Sequence, residues 1–161
     1  MTSISGSAGS EVTLRALGAC CAVGNAVLHG LLVPDHLEEK FYIGVLFALG
    51  SAVMLGVAAA LVTLRRPTVA WLAGALVSFG MIVGFLLSRT VGLPAGYYEA
   101  DWDPPYGLLS LIVEGVFILA CLAWLGAPRP VAQEVPGPAH VDRGPVRGGL
   151  RRAPDRRGGV R

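Results

Sequence analysis

Two ionisable side chains sit where the sequence around them is otherwise apolar: His29 in the run Leu14 to Val33, and Glu114 in the run Gly107 to Gly126. An ionisable group in hydrocarbon costs at least about 2.5 kcal/mol, so such residues are functional-site candidates by default. Asn25 precedes His29 by four residues and Ser110 precedes Glu114 by four, which puts each pair on one helical face. Arg89 ends a third apolar run, from which its long side chain can turn inward or extend outward. Asn25, His29, Arg89, Ser110 and Glu114 therefore spell a polar pocket with three possible uses. Arg89 and Glu114 can form a buried pair that fixes helix register, with the other three completing its hydrogen bonds. Glu114 and His29 can instead bind a proton, a cation or a polar headgroup, or the cluster can meet a partner helix.

A second grouping is metal-like. His36 and Glu39 are three residues apart and, with His29, would offer zinc three ligands. Histidine beside acids is also common on a solvated face, and no cofactor other than such a metal ion is implied. Glu99-Ala-Asp-Trp-Asp alternates acids as a calcium loop begins, but Pro104 follows and no distal glutamate does, which excludes that loop. Cys20, Cys21 and Cys121 lie within apolar runs, where cysteine packs as a small apolar residue. A Gly-rich phosphate loop, Gly-x-Ser-x-Gly, Cys-x-x-Cys and His-Glu-x-x-His are all missing, so nothing supports an enzyme.

The elements that must position these residues follow from composition. Of 161 residues 53% are hydrophobic and 15% charged, with a mean hydropathy of +0.61, too apolar for an ordinary soluble domain. The expected fold is all-α: an integral membrane four-helix bundle with a disordered basic C-terminal tail. Residues 1–12 read as a disordered leader without the basic n-region of a secretory signal. Residues 13–127 read as the membrane domain, with spans at about 14–33, 41–64, 68–88 and 107–126, each near the ~20 residues that cross a bilayer. Pro34 is expected to break the first helix and Asp35 to cap the second, so that His36 and Glu39 fall in the second helix's first turn. Arg65-Arg66-Pro67 makes a tight basic link. Val91 to Tyr106 makes a longer acidic one whose Tyr97, Tyr98, Trp102 and Tyr106 suit the headgroup level. Gly80-Met-Ile-Val-Gly84, with Gly50, Gly56 and Gly74, marks close helix contact.

Residues 128–161 are Pro/Gly/Arg-rich. From Ala127 onward eight arginines face three acids, and the stretch has too little apolar residue to fold. Such a tail suits anionic lipid at an inner leaflet; without aromatics between the arginines it gives no sign of nucleic-acid binding. Arg15, Arg65, Arg66 and the tail fall on one side of the spans, so the positive-inside rule puts both termini in the cytoplasm. On that topology His29 lies about 6 Å and Glu114 about 10 Å below the outer surface, at 1.5 Å per residue.

Leu28 to Glu39 (LHGLLVPDHLEE), Ser88 to Pro94 (SRTVGLP) and the Glu114 span (GLLSLIVEGVF) resemble a set of small four-span membrane proteins of GC-rich bacteria. The likeness covers about Leu14 to Gly126, and SRTVGLP followed by a loop and a glutamate-bearing span is its most specific part. It implies a bacterial plasma membrane and makes His29, His36, Arg89 and Glu114 parts of a shared pattern, but it carries no activity. The expected protein is a non-enzymatic multi-pass membrane protein whose outer polar pocket serves structure or meets a lipid, a protein partner or a second copy. The alternative is a proton or metal-cation channel or carrier subunit using His29, Arg89 and Glu114.

Overall fold

The computed structural model describes residues 4–102 and 104–127; the expected tail at 128–161 lies outside the described residues. Four helices follow in order: α1 (Ile4–Glu39), α2 (Phe41–Thr63), α3 (Thr68–Thr90) and α4 (Tyr106–Gly126). All four are long and apolar enough to cross a membrane, and no strand occurs among the described residues. The chain is a multi-pass, all-α membrane protein.

Two expectations about the first helix need correction. The leader is helical from Ile4, not disordered, and α1 runs unbroken through Pro34 to Glu39. Proline removes only one intrahelical bond, to the carbonyl four residues back, and a packed neighbour can offset that loss. Here the neighbour is α2. Lys40 alone is extended between the two helices, with φ −147° and ψ 101°. A Cβ on Gly44 would lie 2.5 Å from the Leu37 Cγ and 2.6 Å from its backbone nitrogen, so only glycine allows this one-residue turn. Asp35 caps nothing and lies exposed within α1. His36 and Glu39 therefore extend the face that carries His29, rather than starting α2.

Links at each end fix the bundle. At one end Arg15 donates to the Leu64 and Arg65 carbonyls, at 2.9 and 3.1 Å, tying α1 to the α2–α3 link. At the other, Lys40 donates to the Ala95 carbonyl and Tyr42 to the Pro94 carbonyl, tying the α1–α2 turn to the α3–α4 link. We refer to these as the Arg65 end and the Tyr97 end. The core lies toward the Arg65 end, where Trp71 and Phe117 are fully buried, with ring centroids 5.4 Å apart, and Trp124 stacks 5.8 Å from Trp71. Cys121 packs there and donates to the Trp71 carbonyl at 3.6 Å.

The glycines expected at close helix contacts differ: a Cβ on Gly50 would run into the Met81 side chain, whereas one on Gly56 meets nothing within 4 Å. A Cβ on Gly74 would meet the Phe117 ring at 2.4 Å, so this glycine brings α3 and α4 together as expected. Gly80 and Gly84 do not act that way: a Cβ on either meets nothing within 4 Å, and both line a cavity instead. The GxxxG makes room rather than contact.

Candidate functional site

At the middle of the bundle α1 and α4 bring Asn25, His29 and Glu114 together. Asn25 is 0%, Glu114 1% and His29 5% exposed. The Asn25 amide donates to the Glu114 Oε1 at 3.3 Å, and the His29 Nε2 lies 3.5 Å from the same oxygen. The other ring nitrogen, Nδ1, lies 3.2 Å from the Asn25 carbonyl one turn back. A carbonyl can only accept, so Nδ1 carries a hydrogen. Whatever proton the pair shares then lies between Nε2 and Oε1. One proton there makes the pair neutral overall, as imidazole with carboxylic acid or as imidazolium with carboxylate. The Glu114 Oε2 and Asn25 Oδ1 have no partner among the described residues.

Arg89 is not in this group. Its Nη2 lies 2.7 Å from the Glu99 Oε2, its Nη1 donates to the Ser88 Oγ at 2.7 Å, and the guanidinium sits 3.7 Å over the Phe85 ring. The expected Arg89–Glu114 pair gives way to an Arg89–Glu99 pair. The cause is position: Arg89 is in the last turn of α3 and extends toward the carboxylates of the link, whereas Glu114 is two turns down α4. Ser110 is buried near the cavity, with its hydroxyl donating to the Gly107 carbonyl at 2.9 Å.

Glu99 organises the Tyr97 end. Besides Arg89 it accepts a hydrogen bond from the Tyr97 phenol, and its Oε1 lies 3.6 Å from the His36 Nε2. Its backbone amide donates to the Ser88 carbonyl at 3.0 Å, which seats the link on the end of α3. Burial, and then the bond to Glu99, push the Tyr97 phenol above the ordinary tyrosine value, so it stays protonated and donates. A proton held more tightly in the folded state stabilises the fold below the ordinary tyrosine value near 10 and is lost as pH rises beyond it. Stability in detergent is therefore expected to fall above about pH 10, and a series of melting curves on Tyr97→Phe should show a shallower fall than wild type.

The metal grouping also shifts. The ligand atoms of His36 and Glu39 lie with those of Glu99, all within 4.8 Å of one another, while His29 faces Glu114. A cation at His36, Glu39 and Glu99 would have to draw Glu99 away from Arg89. The sequence did not reveal Glu99 and Tyr97 as site residues, because the link that carries them reads as an acidic segment whose aromatics lie at the headgroup level.

A cavity of about 490 Å³ joins the two groups. Its polar end is formed by His36, Arg89, Tyr97 and Glu99, and His29 and Ser110 line it deeper. The remaining wall is apolar, from α2 and α3, and includes Phe47, Met81 and Phe85 with Gly80 and Gly84. Leu46, Leu49 and Gly80 in this wall are themselves exposed, so the cavity opens sideways between α2 and α3 as well as toward the link. No family model, curated protein or solved structure matches the chain. The chemistry of the cavity is thus the basis for assigning a role.

Proposed function

We propose that this chain is a non-enzymatic accessory protein of a bacterial plasma membrane that holds a membrane amphiphile with a net-neutral head. The observation that carries the reading is the cavity's composition. Ligand sites are mostly apolar, of about 300–1,000 Å³, with a few convergent polar groups. This one adds an apolar wall open on the helix side, where hydrocarbon would lie, so its occupant enters from the bilayer. Arg89 already has a carboxylate in Glu99, so the polar end does not call for a charged head. Its buried Nε has no partner among the described residues and favours a head that accepts hydrogen bonds. The basic residues at the Arg65 end support, by the positive-inside rule, a topology with that end and both termini cytoplasmic, which would set the cavity in the outer half of the bilayer. A carrier of metal cations is less well supported, because Glu99, which would have to be one of the ligands, is already paired with Arg89.

Gly84→Leu tests the reading, since a side chain there projects into open cavity space and leaves the packed core untouched. Leucine also favours a helix over glycine by roughly 0.5–1 kcal/mol, so the variant should melt no lower than wild type. Native mass spectrometry of detergent-purified protein with added phosphatidylcholine should show one lipid retained by wild type, with retention reduced about tenfold, or 1.4 kcal/mol, in Gly84→Leu. Equal retention by both proteins, or a preference for phosphatidylglycerol, would overturn the assignment.

A further inference from the structure

His29 and His36 lie seven residues, two turns, apart on one face of α1, and their surroundings repeat. Each Nδ1 rests on the carbonyl four residues back, at 3.2 Å from Asn25 and 2.8 Å from Leu32. Each Nε2 faces a glutamate Oε1, at 3.5 Å from Glu114 and 3.6 Å from Glu99. The Phe47 ring packs against both imidazoles, with centroids 4.9 Å from His29 and 4.6 Å from His36. Both histidines and Phe47 line the cavity.

We propose that these two His–Glu pairs are the outer and inner stations of a proton relay, separated by Phe47, which loads a proton-binding site at Glu114 from the Tyr97 end. The backbone carbonyls hold both rings with Nδ1 protonated, so each Nε2 is the atom that takes up or releases the moving proton. In the forward direction a proton from solution adds to the lone pair of the His36 Nε2, beside Glu99. It leaves that nitrogen when Phe47 moves aside, passes through the cavity to the His29 Nε2, and is shared there with the Glu114 Oε1. The net change is one proton taken from solution and one Glu114 carboxylate neutralised.

The relay ends at Glu114. Toward the Arg65 end, Ala22 on α1 and Phe117 on α4 follow directly, fully buried in one cluster with Trp71, and neither Ala22 nor Phe117 has a polar side-chain atom. The relay is thus proposed as a one-sided proton site, loaded from the Tyr97 end. The ionisable groups around the path are His29, His36 and Glu39 from α1, Arg89 from α3, Tyr97 and Glu99 from the link, and Glu114 from α4. From α2 come Phe47 and the buried hydroxyl of Ser51, which has no partner among the described residues. Glu114 and Asn25 also leave one oxygen each unpaired, which a network kept only for structure would be expected to saturate.

The test is infrared spectroscopy of the full chain in lipid nanodiscs, following the carbonyl band of a protonated carboxyl as H₂O is replaced by D₂O. A band shifted by D₂O in wild type, moved in Glu114→Asp and missing in Glu114→Gln, is expected. His36→Ala should slow its exchange about tenfold or more while leaving the band in place, as loss of a positioned proton carrier does. Phe47→Ala should speed it. Exchange unchanged in both variants would overturn the relay, as would finding no protonated carboxyl at Glu114 between about pH 5 and 9. Nitrogen NMR of ¹⁵N-histidine wild type needs no substitution: Nδ1 protonated on both rings is expected, and a neutral ring protonated only on Nε2 would overturn the relay.

Discussion

Replacing Glu99 by alanine is expected to loosen the whole Tyr97 end and to release whatever the cavity holds. Glu99 is the common partner of Arg89, Tyr97 and His36, which come from three different elements. Removing it leaves the Arg89 guanidinium, 8% exposed, without a carboxylate, and leaves the buried Tyr97 phenol without its acceptor. Hydrogen bonds to charged groups contribute about 1.5–3 kcal/mol each, and the 26% exposure of the Glu99 side chain calls for a discount through solvent screening. The expected loss is about 2–4 kcal/mol, read as a lower melting temperature in detergent. Arg89→Ala should cost less than Glu99→Ala, because it removes one of the three contacts. A melting temperature for Glu99→Ala within error of wild type would show that the cap does not hold the link in place.

The sequence made the membrane architecture legible because apolar runs of about 20 residues have few other uses, and the four helices match that reading. It also singled out Asn25, His29 and Glu114 as residues out of place in such runs, and the fold brings these three together. What it missed depends on where side chains turn at helix ends. Pro34 reads as a breaker, yet the turn at Lys40 and the packing of Leu37 on Gly44 keep α1 helical for five more residues. That extension moves His36 and Glu39 from one helix to another. Arg89 reads equally well as turned inward or outward, and only the return of the link over α3 supplies the carboxylate that decides it. Spacing alone cannot distinguish a GxxxG that packs from one that opens a cavity, since both need only small residues. Gly80 and Gly84 took the second course.

A double substitution at His29 and Glu114 is expected to be milder than its parts suggest. Glu114→Leu leaves the Asn25 amide and the His29 Nε2 facing an apolar side chain, and His29→Leu leaves the Glu114 Oε1 with Asn25 alone. An unsatisfied buried polar group costs about 1–3 kcal/mol, whereas replacing both partners with apolar groups can be nearly neutral. Within a membrane bundle the lower end applies, because interhelical hydrogen bonds average about 0.6 kcal/mol when the unfolded helices also remain in hydrocarbon. Each single variant is therefore expected to lose about 1–2 kcal/mol, and the double to lose less than their sum by about 1 kcal/mol. Asn25→Leu on the double background should then cost little, since the amide has lost its acceptor already. Strict additivity would mean that His29 and Glu114 do not act as a pair, and the neutral, proton-sharing arrangement would have to be abandoned. Coupling of the expected size, with the D₂O-sensitive carboxyl band missing from the double variant, would show that the same contact stabilises the bundle and holds the proton.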